Sequence, residues 1–242
     1  MIRYILSIAV FTATLLPAQA ENTAEVDNYV EANLISIFYH ELGHALIDLM
    51  DLPVFGQEED AADTASILLI DALYDNQTAT AIARDAAFGF LDEADATTQA
   101  PAWWDVHGPD LQRYYNLVCL FYGAEPDSRA VLLDQFDLPQ DRAESCEEEF
   151  ELALDSWGPV LDDLAEAGAG ETIKYAGATD TFTKRLIADE VAALNSEFTL
   201  PETLLVEVTD CDEANAFYDP EAKSITICTE FEPHLRDLFA AN

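Results

Sequence analysis

The sequence is poor in basic residues: 10 lysines and arginines stand against 48 aspartates and glutamates, and the formal net charge is −38. A chain with this charge repels the phosphates of nucleic acids and of anionic lipids. We therefore expect no nucleic-acid partner. The acidic residues are scattered through apolar segments, and half of the chain is hydrophobic. A folded core is therefore expected rather than disorder.

Long hydrophobic runs are also scarce, since no segment approaches the ~18–20 apolar residues that a membrane-spanning helix requires. The nearest candidate is the N-terminus, where Arg3 precedes an apolar run from Ile5 to Leu16 and an Ala-x-Ala triplet that ends at Ala20. This arrangement is typical of a secretory signal peptide. We predict a signal peptide over residues 1–20 and an exported protein, periplasmic or extracellular, without a membrane span. The oligomeric state is left open.

Cysteine is rare but even in number, with residues at positions 119, 146, 211 and 228. In an exported protein an even count predicts disulfides, and four cysteines allow three pairings. Proximity in sequence favours Cys119–Cys146 and Cys211–Cys228. Neither pair has the C-x-x-C spacing, so a cysteine-based zinc or redox site is not expected.

Helical periodicity dominates the first two thirds of the chain. A long helix is predicted from Val26 to about Met50, with Val26, Val30, Leu34 and Ile37 on its buried face. The segment Leu52–Gly56 ends it. A loop is predicted over residues 95–110, and further helices over residues 58–74, 78–93, 111–123, 128–136, 142–164 and 181–194.

The C-terminal part changes character after a glycine-rich turn at residues 168–170. Residues 204–208, 217–218 and 224–228 alternate or are rich in β-branched side chains and read as strands. We predict a mostly helical α+β protein with a small C-terminal antiparallel sheet. It forms a single domain over residues 21–242, helical over 21–167 and with a helix and the sheet over 171–242.

Two histidines four residues apart, His40 and His44, lie on one face of the first predicted helix, so both imidazoles can bind one zinc ion. Glu41 lies about 100° around the axis, where its carboxylate can take a proton from a zinc-activated water. These residues continue the buried face of the helix, and a metal would compensate for their burial. Gly43 leaves room for the close approach of another element. Asp48, one turn further, either supports this site or faces solvent.

A catalytic zinc needs a third protein ligand, with the fourth position left to water. The next helix begins Glu-Glu-Asp-Ala-Ala-Asp (58–63), which resembles the Glu-x-x-Ala/Ser-Asp motif of the gluzincin metallopeptidases. The resemblance implies that Glu59 binds zinc and that Asp63 holds the ring of His40. Glu58 is a competing ligand. An acidic start favoured by the helix dipole is the alternative for the cluster as a whole.

Two further segments resemble the neprilysin branch of the gluzincins. His107, Pro109 and Arg113 match a His-x-Pro-x-x-x-Arg stretch, which implies that His107 stabilises the transition state and Arg113 binds substrate. The alternative is a structural loop histidine. Asn215-Ala216 opens Asn-Ala-Phe-Tyr-Asp-Pro, which resembles the edge strand that holds peptide substrates in thermolysin and neprilysin relatives. The alternative there is an ordinary hairpin.

The order of these motifs is unusual, because in those families the Asn-Ala strand precedes the zinc helix. The set also resembles a bacterial family of secreted metallopeptidases without an assigned substrate, through His-Glu-Leu-Gly-His-Ala-Leu-Ile-Asp (40–48) and the Asn-Ala strand. We therefore expect a circular permutation that places residues 171–242 after the zinc helix. It requires Phe231–Asn242 to end near Glu21–Asn28 in space.

Together the motifs imply an exported zinc peptidase acting on peptides or proteins, with Glu41 as general base. Two alternatives remain. One is a non-catalytic periplasmic protein that binds zinc or peptide, and the other is a metal hydrolase acting on a non-peptide amide. A cleft that reaches the metal position would favour an enzyme.

Overall fold

The structure is a computed structural model that describes residues 16–241, with side chains from Thr23 onward. Residues 1–15 of the predicted signal peptide lie outside the described residues. The helices are α1 (Leu16–Leu49), α2 (Glu58–Leu73), α3 (Asn76–Ala96), α4 (Asp110–Ala124), α5 (Val131–Gln135), α6 (Gln140–Ala167), α7 (Phe182–Glu197) and α8 (Phe231–Ala241). The strands are β1 (Ile173–Ala176), β2 (Leu204–Thr209), β3 (Ala216–Asp219) and β4 (Ser224–Cys228).

Helix α1 is the centre of the molecule, with α2, α3, α7, α8 and the sheet packed around it. Its buried residues include Val30 and Leu34, as predicted, and Phe38 along the same stripe, but also Ile35 and Tyr39 on another face. A helix that is apolar on several faces is typical of the interior of a domain. The prediction of a single buried face therefore understated how deeply this helix is buried.

Helices α1 and α2 approach each other closely at Gly43. A Cβ atom placed there would lie 2.9 Å from the Cα of Ala62 and 3.1 Å from its carbonyl oxygen. Only glycine fits this contact without displacing a helix backbone. The expectation that Gly43 admits another element is confirmed, and that element is α2, which carries Glu59 and Asp63.

The sheet has the order β1-β2-β4-β3, and the predicted antiparallel pairing is wrong for most of it. Strand β1 pairs in parallel with β2, and β2 in parallel with β4. Only β3 and β4 form an antiparallel hairpin. The reason is topological: helix α7 crosses over between β1 and β2, and such crossovers join parallel strands. Strand β1 was missed because it is four residues long and its pairing partner is remote. The α+β class itself is confirmed.

Both predicted disulfides are present. Cys119–Cys146 joins α4 to α6, and Cys211–Cys228 joins the segment after β2 to the end of β4, with Cα–Cα distances of 5.1 and 5.4 Å. Neither pair is free to bind a metal or to cycle as a reactive dithiol. They connect elements of the fold, as expected.

Helix α8 packs beside the start of α1. The guanidinium of Arg236 contacts the carboxylate of Asp27 at 2.7 Å, and the rings of Tyr29 and Phe239 lie 5.2 Å apart. The spatial condition that the circular permutation requires is therefore met, although the permutation itself stays a hypothesis. Over the described part of the chain, no helix is sufficiently long and apolar to cross a membrane.

Candidate metal centre and cleft

Three side chains from α1 and α2 converge on one point. The Nε2 atoms of His40 and His44 are 3.2 Å apart, and the Oε2 atom of Glu59 lies 3.3 Å from the first and 3.1 Å from the second. Ligands held tetrahedrally at about 2.0–2.1 Å from a zinc ion are separated by roughly 3.3 Å. The three atoms therefore have the spacing of ligands around one such ion.

The hydrogen bonds made by Nδ1 of His40 and of His44 indicate which ring nitrogens are available to bind a metal. Nδ1 of His40 lies 2.7 Å from Oδ1 of Asp63, and Nδ1 of His44 lies 2.8 Å from Oε1 of Glu58. Each carboxylate accepts a hydrogen bond from Nδ1, so the lone pair of each neutral ring is on Nε2. Two lone pairs and a carboxylate oxygen that converge on one point are a donor set suited to a cation. The donor set fits a divalent metal such as zinc.

This geometry distinguishes between the two candidates for the third metal ligand, Glu58 and Glu59. Glu59 faces both Nε2 atoms, whereas Glu58 contacts the far side of His44. Its contacts with His107, His40 and His44 hold the pKa of Glu59 far below its usual range, so its carboxylate is ionised. The arrangement favours Glu59 as the ligand and Glu58 as the residue that orients His44.

Asp63 joins the metal centre to Arg113 on α4. The guanidinium donates two hydrogen bonds to this carboxylate, from Nε at 2.8 Å and from Nη2 at 2.7 Å, and it stacks over the ring of Phe90 at 4.5 Å. Burial would raise the pKa of Asp63, but Arg113 and His40 hold it well below its ordinary value. Asp63 is thus an ionised carboxylate that accepts a hydrogen bond from His40 and orients its ring. The prediction that Arg113 binds substrate is not tested by this contact.

Glu41 lies beside the converging nitrogens and lines the cleft, although only 5% of its surface is exposed. Burial raises the pKa of its carboxyl group above the ordinary value, and the nearby histidines counteract part of that rise. The backbone N–H of Tyr218 on β3 donates a hydrogen bond to it. A buried carboxyl group of raised pKa, held from the opposite wall, is suited to proton transfer.

His107 comes from the loop between α3 and α4 and reaches the same centre. Its Nε2 lies 2.9 Å from Oε2 of Glu59, and its ring centre is 6.2 Å from that of His40. Asp105 supports it by accepting a hydrogen bond from its backbone N–H at 3.0 Å. The side chain is 45% exposed, so it belongs to the cleft surface rather than to the core.

Strand β3 forms the opposite edge of the cleft, and it is the outer strand of the sheet. Hydrogen bonding alternates along an antiparallel pair, and the N–H of Cys228 donates to the carbonyl of Asn215. The backbone groups of Ala216 and Tyr218 therefore point away from β4. The side-chain oxygen of Asn215 accepts a hydrogen bond from the N–H of Ala216 at 2.9 Å, whereas the Ala216 carbonyl faces the cleft.

The hairpin is tied to the metal-bearing helix through Asp48. The hydroxyl of Tyr218 donates to Asp48 at 2.6 Å, and the ammonium of Lys223 forms an ion pair with the same carboxylate. Asp48 is exposed, as one of the two alternatives had it, and its contacts support the hairpin rather than a candidate metal ligand. These contacts hold β3 at a set distance from His44.

An open cleft of about 1370 Å³ lies between these walls. Its floor contains His40, Glu41, His44 and Glu59, and its sides contain loop residues around His107 and the strand residues 215–218. All the side chains predicted for metal binding and catalysis therefore meet in one cavity. Arg113, Asn215 and Ala216 line the same cavity, and Asp63 lies behind it.

The family model described as "Putative metallopeptidase" matches residues 8–161 and 170–242. The chain belongs to this family. No curated protein matches the chain, and no solved structure does. Membership in a metallopeptidase family agrees with the metal-binding geometry of His40, His44 and Glu59.

Three functional contacts of this family member were not foreseen. The support of Glu41 by the Tyr218 backbone, the tie from Lys223 to Asp48, and the contact of Glu58 with His44 are absent from the predictions. Only the contact of Glu58 had a signal, because a carboxylate next to a ligand can face the neighbouring histidine. The other two join segments that are remote in sequence.

Proposed function

We propose that this chain is an exported zinc peptidase of the gluzincin type, in which His40, His44 and Glu59 hold the metal. One observation carries the proposal: three ligand atoms converge on the floor of an open cleft, beside the buried carboxylate of Glu41. A structural zinc site normally closes its fourth position with protein. The open cleft therefore favours catalysis over the alternative of a closed structural site.

Glu41 is the proposed general base and then general acid. A zinc ion bound at the site supplies Lewis acidity that makes water a nucleophile near neutral pH. Glu41 accepts the proton of the attacking water and delivers it to the leaving amide nitrogen. The Tyr218 N–H and the burial of the carboxylate set its position and its pKa.

His107 is the proposed stabiliser of the tetrahedral oxyanion. Its Nε2 is already directed at a carboxylate oxygen, Oε2 of Glu59, at 2.9 Å. Hydrogen-bond donors aimed at developing negative charge lower the barrier to peptide hydrolysis. Arg113 keeps Asp63 ionised against His40, and we retain substrate binding as its second proposed role.

The edge strand supports a peptide as the substrate. Its outward carbonyl at Ala216 can accept a hydrogen bond from the backbone of an extended chain, independently of side-chain identity. The side-chain amide of Asn215 can donate to the same backbone. A small non-peptide amide would leave this edge unused, which makes the non-peptide hydrolase the weaker alternative.

Export and permutation complete the proposal. Two disulfides fit an oxidising compartment, and the N-terminal pattern of residues 1–20 is that of a signal peptide. The nearness of α8 to the start of α1 and the position of β3 beside the zinc helix support a circular permutation.

The test combines metal content with cleavage. Purified protein should contain about one zinc per chain and should cleave members of a peptide library. Chelation should abolish the cleavage, and added zinc should restore it. The Glu41→Gln variant, purified in parallel, controls for contaminating proteases. A zinc-loaded protein that cleaves no peptide would contradict the peptidase, and a protein with no affinity for zinc would contradict the whole site.

A further inference from the structure

The exposed large aromatic side chains of the described residues lie in or next to chain segments that line the cleft. Among the described residues, the large aromatic side chains classed as exposed are Phe55, Trp103, Trp104 and Phe217, which are 98%, 76%, 87% and 42% exposed. Phe217 lines the cleft itself. A cluster of exposed apolar side chains is typical of an interaction site rather than of ordinary surface.

The other three belong to segments that border the same cleft. Trp103 and Trp104 lie between Ala102 and Asp105, which both line it, and Phe55 is in the loop that continues from Leu52 of its wall. Aromatic side chains contribute a large contact area at a small loss of conformational entropy. We call these four residues, Phe55, Trp103, Trp104 and Phe217, the aromatic rim. The aromatic rim is suited to contact apolar side chains of a bound polypeptide.

The same walls are acidic. Beyond Glu41 and Glu59, the cleft is lined by Asp51, Glu58, Asp105 and Asp110, and by Asp48, whose charge is paired with Lys223. Among the described lining residues the only lysine or arginine is Arg113, and both of its assigned hydrogen bonds go to Asp63. A divalent metal would offset at most the charges of Glu41 and Glu59. The field in the cleft therefore attracts cations and repels anions.

Backbone pairing with β3 does not select side chains, so selectivity must come from these walls. We propose that the cleft takes extended polypeptide segments in which apolar or aromatic side chains stand next to lysine or arginine. The inference rests on the proposed peptidase function and names the substrate class of that site. Acidic segments are repelled, and segments without apolar side chains leave the rim unused.

The first experiment uses internally quenched peptides that share one apolar core and differ in flanking residues: lysine, serine or glutamate. We expect kcat/KM at low salt to be roughly tenfold or more higher for lysine flanks than for glutamate flanks, because charged clefts raise the rate of encounter by that order. In about 1 M salt, where the screening length is about 3 Å, the three peptides should converge. A fourth peptide with lysine flanks and a serine core should be cleaved several-fold more slowly than its apolar counterpart.

The second experiment places the preference on named residues outside the catalytic machinery. Asp51 has a left-handed backbone with φ of 52°, which asparagine tolerates. Asp51→Asn should reduce the ratio of kcat/KM for the lysine-flanked peptide to kcat/KM for the glutamate-flanked peptide. The kcat/KM of the serine-flanked peptide should stay unchanged. Glu147→Gln on α6, which is exposed and outside the cleft, is the matched control.

For the aromatic rim, Trp104→Ser should raise KM several-fold for the apolar core and leave the serine core unchanged. Leu154→Ser, an exposed apolar residue of α6, is its control. Zinc content and circular dichroism verify that each variant is folded. If no peptide is cleaved by zinc-loaded protein, the peptidase function fails. If peptides are cleaved without regard to flanking charge or core, the function stands and the substrate class is wrong.

Discussion

The wall of the cleft that carries the proposed metal ligands (the metal wall) comes from two consecutive helices, whereas the opposite wall combines a loop and an edge strand from distant parts of the chain. His40 is 4% exposed, while His107 across the cleft is 45% exposed. Each ligand histidine has a carboxylate behind it, and the helices that carry the ligands touch at Gly43. The opposite wall is held by the contacts of Asp48 with Tyr218 and Lys223, by the Tyr218 N–H on Glu41, and by His107 on Glu59.

This difference implies that the two walls have separate roles, one in metal binding and the other in substrate binding. The metal wall is rigid because its side chains are buried and paired, so changes there should affect metal binding and stability. The opposite wall is exposed and locally tethered, so changes there should affect substrate binding while the metal stays bound. Five substitutions test that separation.

The largest effect is expected from Glu41→Gln, which lies between the two walls. It removes the base but keeps the shape of the side chain, so kcat should fall by about 10²–10⁴-fold, with zinc content unchanged. The measurement is peptide hydrolysis beside metal analysis of the same sample. Glu25→Gln, an exposed position of the same helix, is the control. Undiminished activity would refute the proposed mechanism.

The next effect concerns the carboxylates behind the histidines. Asp63→Asn and Glu58→Gln should each weaken zinc binding, by about 10–100-fold in the range known for such supporting groups. Asp63→Asn should have the larger effect because Asp63 is less exposed and also neutralises Arg113. Competition with a chelating dye measures both affinities. A larger loss of zinc affinity for Glu58→Gln than for Asp63→Asn would indicate that Glu58 is the ligand and Glu59 the supporting residue.

A smaller effect is expected from Gly43→Ala, which forces α1 and α2 apart. The added methyl group meets the backbone of Ala62, and such overpacking lowers the free energy of unfolding by about 1–3 kcal/mol. Zinc affinity should fall as well, since the ligands lie on both helices. Urea unfolding and zinc titration measure the two effects. Gly56→Ala, with nothing within 4 Å, should change neither.

The smallest effect is expected from Tyr218→Phe on the opposite wall. Loss of the hydroxyl removes one of two ties to Asp48, a change of about 1 kcal/mol. We expect KM to rise a few-fold, with zinc affinity unchanged. Tyr175→Phe, which loses a single exposed hydrogen bond, is the control. A loss of zinc in Tyr218→Phe would show that the two walls are not independent.

Much of the metal wall was predictable because its information is local. Helical spacing alone places His40, Glu41 and His44 side by side, and the spacing of Glu59 and Asp63 on the next helix does the same. The choice between Glu58 and Glu59 was open, because both lie in the same helical turn and only the packing of α2 against α1 orients them.

The opposite wall was predictable only as a set of residues. Motifs named His107, Arg113, Asn215 and Ala216, and the structure brings them to one cleft. They did not show that Arg113 pairs with Asp63. The parallel pairing of β1, β2 and β4 could not be predicted either. Parallel strands are joined by long crossovers rather than by tight turns, so no turn motif in the sequence marks the pairing.

The sequence by itself determined the acidic character of the chain, its α+β class and a metal motif on one helix, while proximity along the chain favoured the two disulfide pairings. These follow from composition, periodicity and spacing within single elements. Only the tertiary structure decided which carboxylate faces the converging nitrogens, what holds Glu41 and Asp48, and where the edge strand lies. Those outcomes depend on packing between remote segments, and the contact energies that select it are not encoded in any one stretch of residues.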